Sequence, residues 1–128
     1  MEKKNLDWKH IGFAYHTTDY RYVADYKDGK WQEGYMSDSP NIVLNECAGI
    51  MQYCQEVFEG LKAYETADGR IVTFRSDLNA DRMYHSAERM EMPPFPKERF
   101  IEAVEKVVKA NEAWVPPYGS GATLYLRP

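Results

Sequence analysis

Residues 60–74, GLKAYETADGRIVTF, constrain the chain more than any other stretch. Residues 60–65 alternate between two faces, and RIVTF at 70–74 returns after an Asp68-Gly69 turn. Two such runs around Asp-Gly predict a β-hairpin. Directly after it, Ala80, Met83, Ala87 and Met90 recur at helical spacing, with Tyr84 beside them. This predicts a helix capped by Ser76-Asp77 and running to about Met90. A second helix is expected from near Pro96, a favoured first-turn residue. Its inward stripe is Phe100, Val104, Val107, Val108 and Asn111, widened by Ile101. Glu98, Glu102 and Glu105 lie early in it and Lys106 and Lys109 late, as the helix dipole prefers.

A hairpin that leads straight into two amphipathic helices needs a layered solution. Further strands are expected on both sides. DYRYVADY at 19–26 is rich in β-formers, and Asp28-Gly29 turns it into KWQEGYM at 30–36. Pro116-Pro117 stops the second helix, and the loop YGSG leads into a last strand in ATLYLRP. Strands segregated from helices imply an α+β fold, with an antiparallel or mixed sheet and two helices packed against it. At 128 residues the chain suits one domain with its own core.

Composition excludes several functions. A net charge of −4, with both signs interleaved, leaves no basic stripe for nucleic acid. No stretch approaches the ~20 apolar residues of a membrane span, and no signal peptide opens MEKKNLDWKH, so a cytoplasmic location is expected. His10, His16 and His85 lack metal-ligand spacing, and GxSxG, HExxH and P-loop motifs are absent. Cys47 and Cys54, with six residues between them, form neither a CxxC pair nor a zinc half-site and are expected as reduced, half-buried thiols. Ten tyrosines, five phenylalanines and three tryptophans suit either sheet packing or a pocket for a small amphipathic ligand.

Three constellations qualify as candidate sites. Arg82 lies on the polar flank of the first helix with Asn79, Ser86 and Arg89. It is positioned either to grip a phosphate through two parallel hydrogen bonds or to pair with Asp77, Asp81 or Glu88. In QEVFEGLKAY, Gly60 permits a sharp turn or close backbone approach, and Tyr53 and Phe58 form either one cavity wall or a core aromatic pair. Tyr125 and Arg127 share one face of the last strand, toward water or toward an anionic ligand.

Four segments in register, GFAYHTTDY, QYCQEVFEGLKAY, FRSDLNADRM and WVPPYGSGATLYLRP, resemble the amino-terminal part of the branched-chain amino-acid aminotransferases. These are fold-type IV pyridoxal-phosphate enzymes. The resemblance runs from about Gly12 to Pro128. It implies that residues 1–128 form a small amino-terminal domain, that Arg82 binds the phosphate of pyridoxal 5'-phosphate, and that Phe13, Tyr53 and Phe58 wall the substrate pocket. Tyr125 and Arg127 would orient the substrate and accommodate a dicarboxylate. One departure is Gln52, where the family often has histidine before the pocket tyrosine.

The implied activity is transamination of leucine, isoleucine or valine with 2-oxoglutarate, within branched-chain amino-acid biosynthesis and by a homodimer. It requires a lysine bonded covalently to the cofactor. None of the nine lysines lies in a matching motif, Lys62 being peripheral in the family, so no catalytic residue is expected in this chain. The lysine and the rest of the site are expected on a larger second domain. The alternatives are a D-amino-acid aminotransferase or aminodeoxychorismate lyase of the same fold, or a non-catalytic binding module.

Overall fold

The computed structural model describes residues 2–128. In chain order its strands and helices are β1 (Arg21–Val23), β2 (Tyr26–Lys27), β3 (Lys30–Trp31), β4 (Tyr35–Ser37), α1 (Gly49–Tyr53), β5 (Leu61–Glu65), β6 (Ile71–Thr73), α2 (Ser76–Arg89), α3 (Lys97–Ala110) and β7 (Leu124–Leu126). A short 3-10 turn, Glu112–Trp114, follows α3. The α+β class expected from sequence is borne out, and every strand pair is antiparallel.

The sheet at the centre has the order β6-β5-β7. In its hairpin, Ala63 faces Thr73 and Glu65 faces Ile71. On the other side Leu61 faces Leu126 and Lys62 faces Tyr125. Alternation along β5 divides the two faces: Leu61 and Ala63 are buried, while Lys62 and Tyr64 are exposed. The buried face meets α2 and α3 in one core of Leu61, Ala63, Ala80, Phe100, Val104, Val108, Val115 and Leu126. Burial of that apolar stripe, more than helix propensity, holds the helices in place.

The amino-terminal strands form a separate ribbon. β1 pairs with β4, and β2 with β3. At its tip Asp28 and Gly29 both adopt positive φ, 54° and 75°, as a two-residue hairpin turn requires. Asn111 ties the ribbon to the end of α3. It is 2% exposed, accepts from the Tyr20 amide at 3.0 Å, and donates to the Tyr20 carbonyl at 2.8 Å. Trp31 adds a bond from its indole nitrogen to the Pro94 carbonyl, 2.8 Å, and an edge contact with Phe95.

Two expectations need correction. Ser76 and Asp77 do not cap α2 but lie inside it; Arg75 is the N-cap, at φ 48°, with its guanidinium on the Asp77 carboxylate. The ion pair draws Asp77 out of the capping role. Cys47 and Cys54 are free but exposed, not half-buried. Cys54 ends α1 at φ 50°, which turns the chain back and leaves its side chain outside the core. The strands form three small antiparallel sheets, the β1–β4 ribbon packing on α3 through Asn111 without joining β7.

Candidate functional site

The segment Phe58–Gly60 leads into β5 and continues its alternation. Glu59 turns toward the helices and is 3% exposed, whereas Phe58 turns outward and is 62% exposed. Two arginines approach this segment, one from each face.

On the outer face, β7 brings Tyr125 and Arg127 beside Phe58. The Arg127 guanidinium lies 4.6 Å from the Phe58 ring centroid and 5.4 Å from that of Tyr125. Its Nε–H donates to the Tyr125 hydroxyl at 3.0 Å. Phe13 meets Tyr125 edge-on at 5.6 Å. A cation over two aromatic faces is held electrostatically without losing its remaining N–H donors. Thus Phe13, Phe58, Tyr125 and Arg127 are brought together.

Gly60 makes this contact possible. A β-carbon at position 60 would stand 2.8 Å from the Tyr125 hydroxyl and 3.3 Å from its ring. Gly60→Ala is therefore expected to push the Tyr125 ring aside and break its bond to Arg127, with little loss of stability because the displaced group is a side-chain tip. Loss of the Tyr125–Arg127 nuclear Overhauser contacts with Tm nearly unchanged would confirm it; preserved contacts would refute it.

On the inner face, Arg82 reaches Glu59. Its Nε donates to Oε1 at 2.5 Å and its Nη2 to Oε2 at 2.7 Å. Asn79 donates to Oε2 at 2.7 Å, and the Gly60 amide adds a weaker bond at 3.3 Å. None of Asp77, Asp81 or Glu88 holds Arg82; Asp77 pairs with Arg75 and Asp81 with Lys97. The Arg82 bonds hold the Glu59 carboxyl below the ordinary carboxylate range, against the opposing effect of burial and with help from Asn79.

A depressed folded value stabilises the fold above the unfolded carboxylate range, and that stability is lost as pH falls through the folded value. Tm should fall on acidification below about pH 4.5, and more steeply in the wild type than in Glu59→Gln. Parallel Tm profiles for the two proteins would exclude this contribution.

Tyr53 stands apart. It ends the five-residue α1, is 84% exposed, and is not packed against Phe58. A left-handed turn at Cys54 ends α1 between Tyr53 and the Phe58 segment. Beside the site, a groove of about 470 Å³ runs between the ribbon, α3 and β7. Tyr125 and Arg127 line it together with Tyr20, Trp31 and Phe100, but Phe13, Tyr53, Phe58 and Arg82 do not.

Sequence reasoning missed Glu59. The residue stands between the two singled out, Phe58 and Gly60, but a lone glutamate in an alternating run gives no sign of burial. The free donors of Arg82 suit a phosphate group. Arg82 leaves its Nη1 side open on a 68%-exposed side chain. No cluster of three or more metal-ligating side chains occurs among the described residues, and no helix there is long and apolar enough to cross a membrane.

No family model matches the chain. Among curated proteins it is 51% identical over 125 residues to a branched-chain-amino-acid aminotransferase of Haemophilus influenzae, covering 98% of this chain and 36% of that protein. It is 46% identical over 125 residues to the enzyme of the same name from Helicobacter pylori, covering 98% of this chain and 37% of that one. A methionine aminotransferase of Arabidopsis thaliana is 44% identical over 125 residues, covering 97% and 35%. The chain spans about a third of the length of the curated relatives it matches. Along nearly all of its own length the chain is similar to about a third of the length of these branched-chain-amino-acid aminotransferases.

Proposed function

We propose that residues 1–128 are the small amino-terminal domain of a branched-chain-amino-acid aminotransferase and that they line part of its cofactor and substrate pocket. The observation that carries this reading is the cluster of Phe13, Phe58, Tyr125 and Arg127 on the outer face of the Phe58–Gly60 segment, with Arg82 held to its inner face through Glu59.

Arg82 binds the phosphate of pyridoxal 5'-phosphate through the guanidinium edge that Glu59 leaves open. Phe13, Phe58 and Tyr125 form an apolar wall that receives the side chain of leucine, isoleucine or valine and excludes water. The Tyr125 hydroxyl and Arg127 take the carboxylate when 2-oxoglutarate replaces the amino acid. The bound cofactor supplies the electron sink for moving the amino group. A pocket of this kind separates substrates that differ by one methylene only weakly, by ~1–3 kcal/mol. The full enzyme works as a cytoplasmic homodimer.

No lysine of this chain anchors the cofactor, so the chain alone transaminates nothing. Borohydride reduction in the presence of pyridoxal phosphate should leave no single stoichiometrically labelled lysine. A stoichiometric label on one residue would contradict the assignment.

The positive test is a chimaera in which this chain replaces the corresponding third of the Haemophilus influenzae relative. Amino transfer from L-leucine to 2-oxoglutarate at a rate near the parent's supports the reading. A folded chimaera that prefers D-alanine points to a D-amino-acid aminotransferase, and one without any activity points to a binding module. The similarity to a methionine aminotransferase favours including L-methionine, an unbranched apolar substrate, beside L-leucine.

A further inference from the structure

We propose that Glu59 is a positioning residue whose buried carboxylate clamps the Nε/Nη2 edge of Arg82, so that the opposite Nη1/Nη2 edge is presented to a phosphate monoester. The proposal rests on the reading that Arg82 takes the phosphate, and it adds the group that aims it.

A guanidinium is a planar fork of five N–H donors with two edges able to make parallel bonds. Glu59 occupies one of them, at 2.5 and 2.7 Å. The other edge has no acceptor among the described residues, and the Arg82 side chain is 68% exposed. Clamp and anion therefore use different donors, and neither has to leave for the other to bind.

The clamp is itself held from several sides. Asn79 precedes Arg82 by three residues on α2, so one face of the helix presents both to the carboxylate. Asn79 also reaches the Gly60 carbonyl at 3.3 Å. The Glu59 amide donates to the Pro128 carbonyl at 3.0 Å, tying the clamp to the end of β7 just past Arg127. An arginine free to sample rotamers loses that freedom when it binds an anion, whereas a clamped one has already lost it on folding. Burying a carboxylate to 3% exposure is unfavourable unless it is paired and hydrogen-bonded, and Arg82 and Asn79 meet that need.

The test uses the 128-residue chain and pyridoxine 5'-phosphate, which has no aldehyde to label surface lysines. Arginine side-chain NMR reads both edges. In the wild type the Arg82 Nε–H resonance should be slow to exchange and should persist as the ligand shifts the Nη groups. In Glu59→Gln it should collapse toward those of the exposed arginines. Affinity for pyridoxine 5'-phosphate should weaken about 3–10-fold, the factor expected when a side chain loses its pre-orientation. Pyridoxine without phosphate should bind both proteins alike.

Equal or tighter phosphate-ligand binding by Glu59→Gln would overturn the proposal, since Glu59 would then be a competitor. So would loss of the wild-type Nε–H signal on ligand addition, which decides the matter even if the variant does not fold. Arg82→Ala separates the two levels. Unchanged phosphate-ligand binding in that variant defeats the phosphate reading itself, whatever the Glu59→Gln spectra show.

Discussion

In the chimaera, Arg127→Leu is expected to cut kcat/KM for 2-oxoglutarate about 10–100-fold, the range of one or two charge-assisted hydrogen bonds. The loss for L-leucine should stay below about threefold, because an apolar side chain makes no use of the guanidinium. Arg127 commits its Nε–H to Tyr125 and its flat face to Phe58, leaving the Nη groups for a carboxylate. Leucine at this position keeps contact with both rings but offers no donor. Arg127→Lys should fall between the two, since an ammonium keeps the charge and loses the fork. Kinetics with each substrate at saturating partner decide it. Equal losses for both substrates would mean that Arg127 holds the wall together and does not select the dicarboxylate.

Turn chemistry and periodicity made most of the scaffold legible. Asp68-Gly69 and Asp28-Gly29 each announce a turn that joins paired strands, and both hairpins form. The stripe Phe100, Val104, Val108, Asn111 is buried as its spacing requires. Asn111 shows why the pattern extends to a polar residue: its amide replaces the hydrogen bonds the ribbon backbone would otherwise lack.

Less could be read where a local rule met a competing contact. Ser76-Asp77 looks like a cap, yet the two-bond pairing of Arg75 with Asp77 sets the first turn instead. A turn after Tyr53 was foreseeable, but its direction depends on the positive φ of Cys54, a conformation that a cysteine does not advertise. Within the site, strand parity placed Tyr125 with Arg127. The burial of Glu59 depends on partners 20 and 23 residues away, Asn79 and Arg82, and no short-range pattern encodes it.

The scaffold beneath the site can be tested by its own loss. Phe100→Ala is expected to destabilise the chain by about 3–5 kcal/mol, the usual cost of removing a buried phenyl ring and leaving a cavity. Phe100 is 3% exposed and belongs to the core between α3 and the inner face of β5. Domains of this size have stabilities of only about 5–15 kcal/mol, so the variant should lose a large part of the total. Urea denaturation of both proteins measures it. The same core fixes Leu61 and Ala63, which set the orientation of β5 and hence the outward turn of Phe58 and the inward turn of Glu59. In the folded fraction of Phe100→Ala, the Arg82–Glu59 and Arg127–Phe58 contacts should therefore loosen together. A loss below about 1 kcal/mol would be out of line with a buried ring and would move the core elsewhere. Intact contacts in a strongly destabilised variant would show that the two arginines are held by the Phe58–Gly60 segment alone.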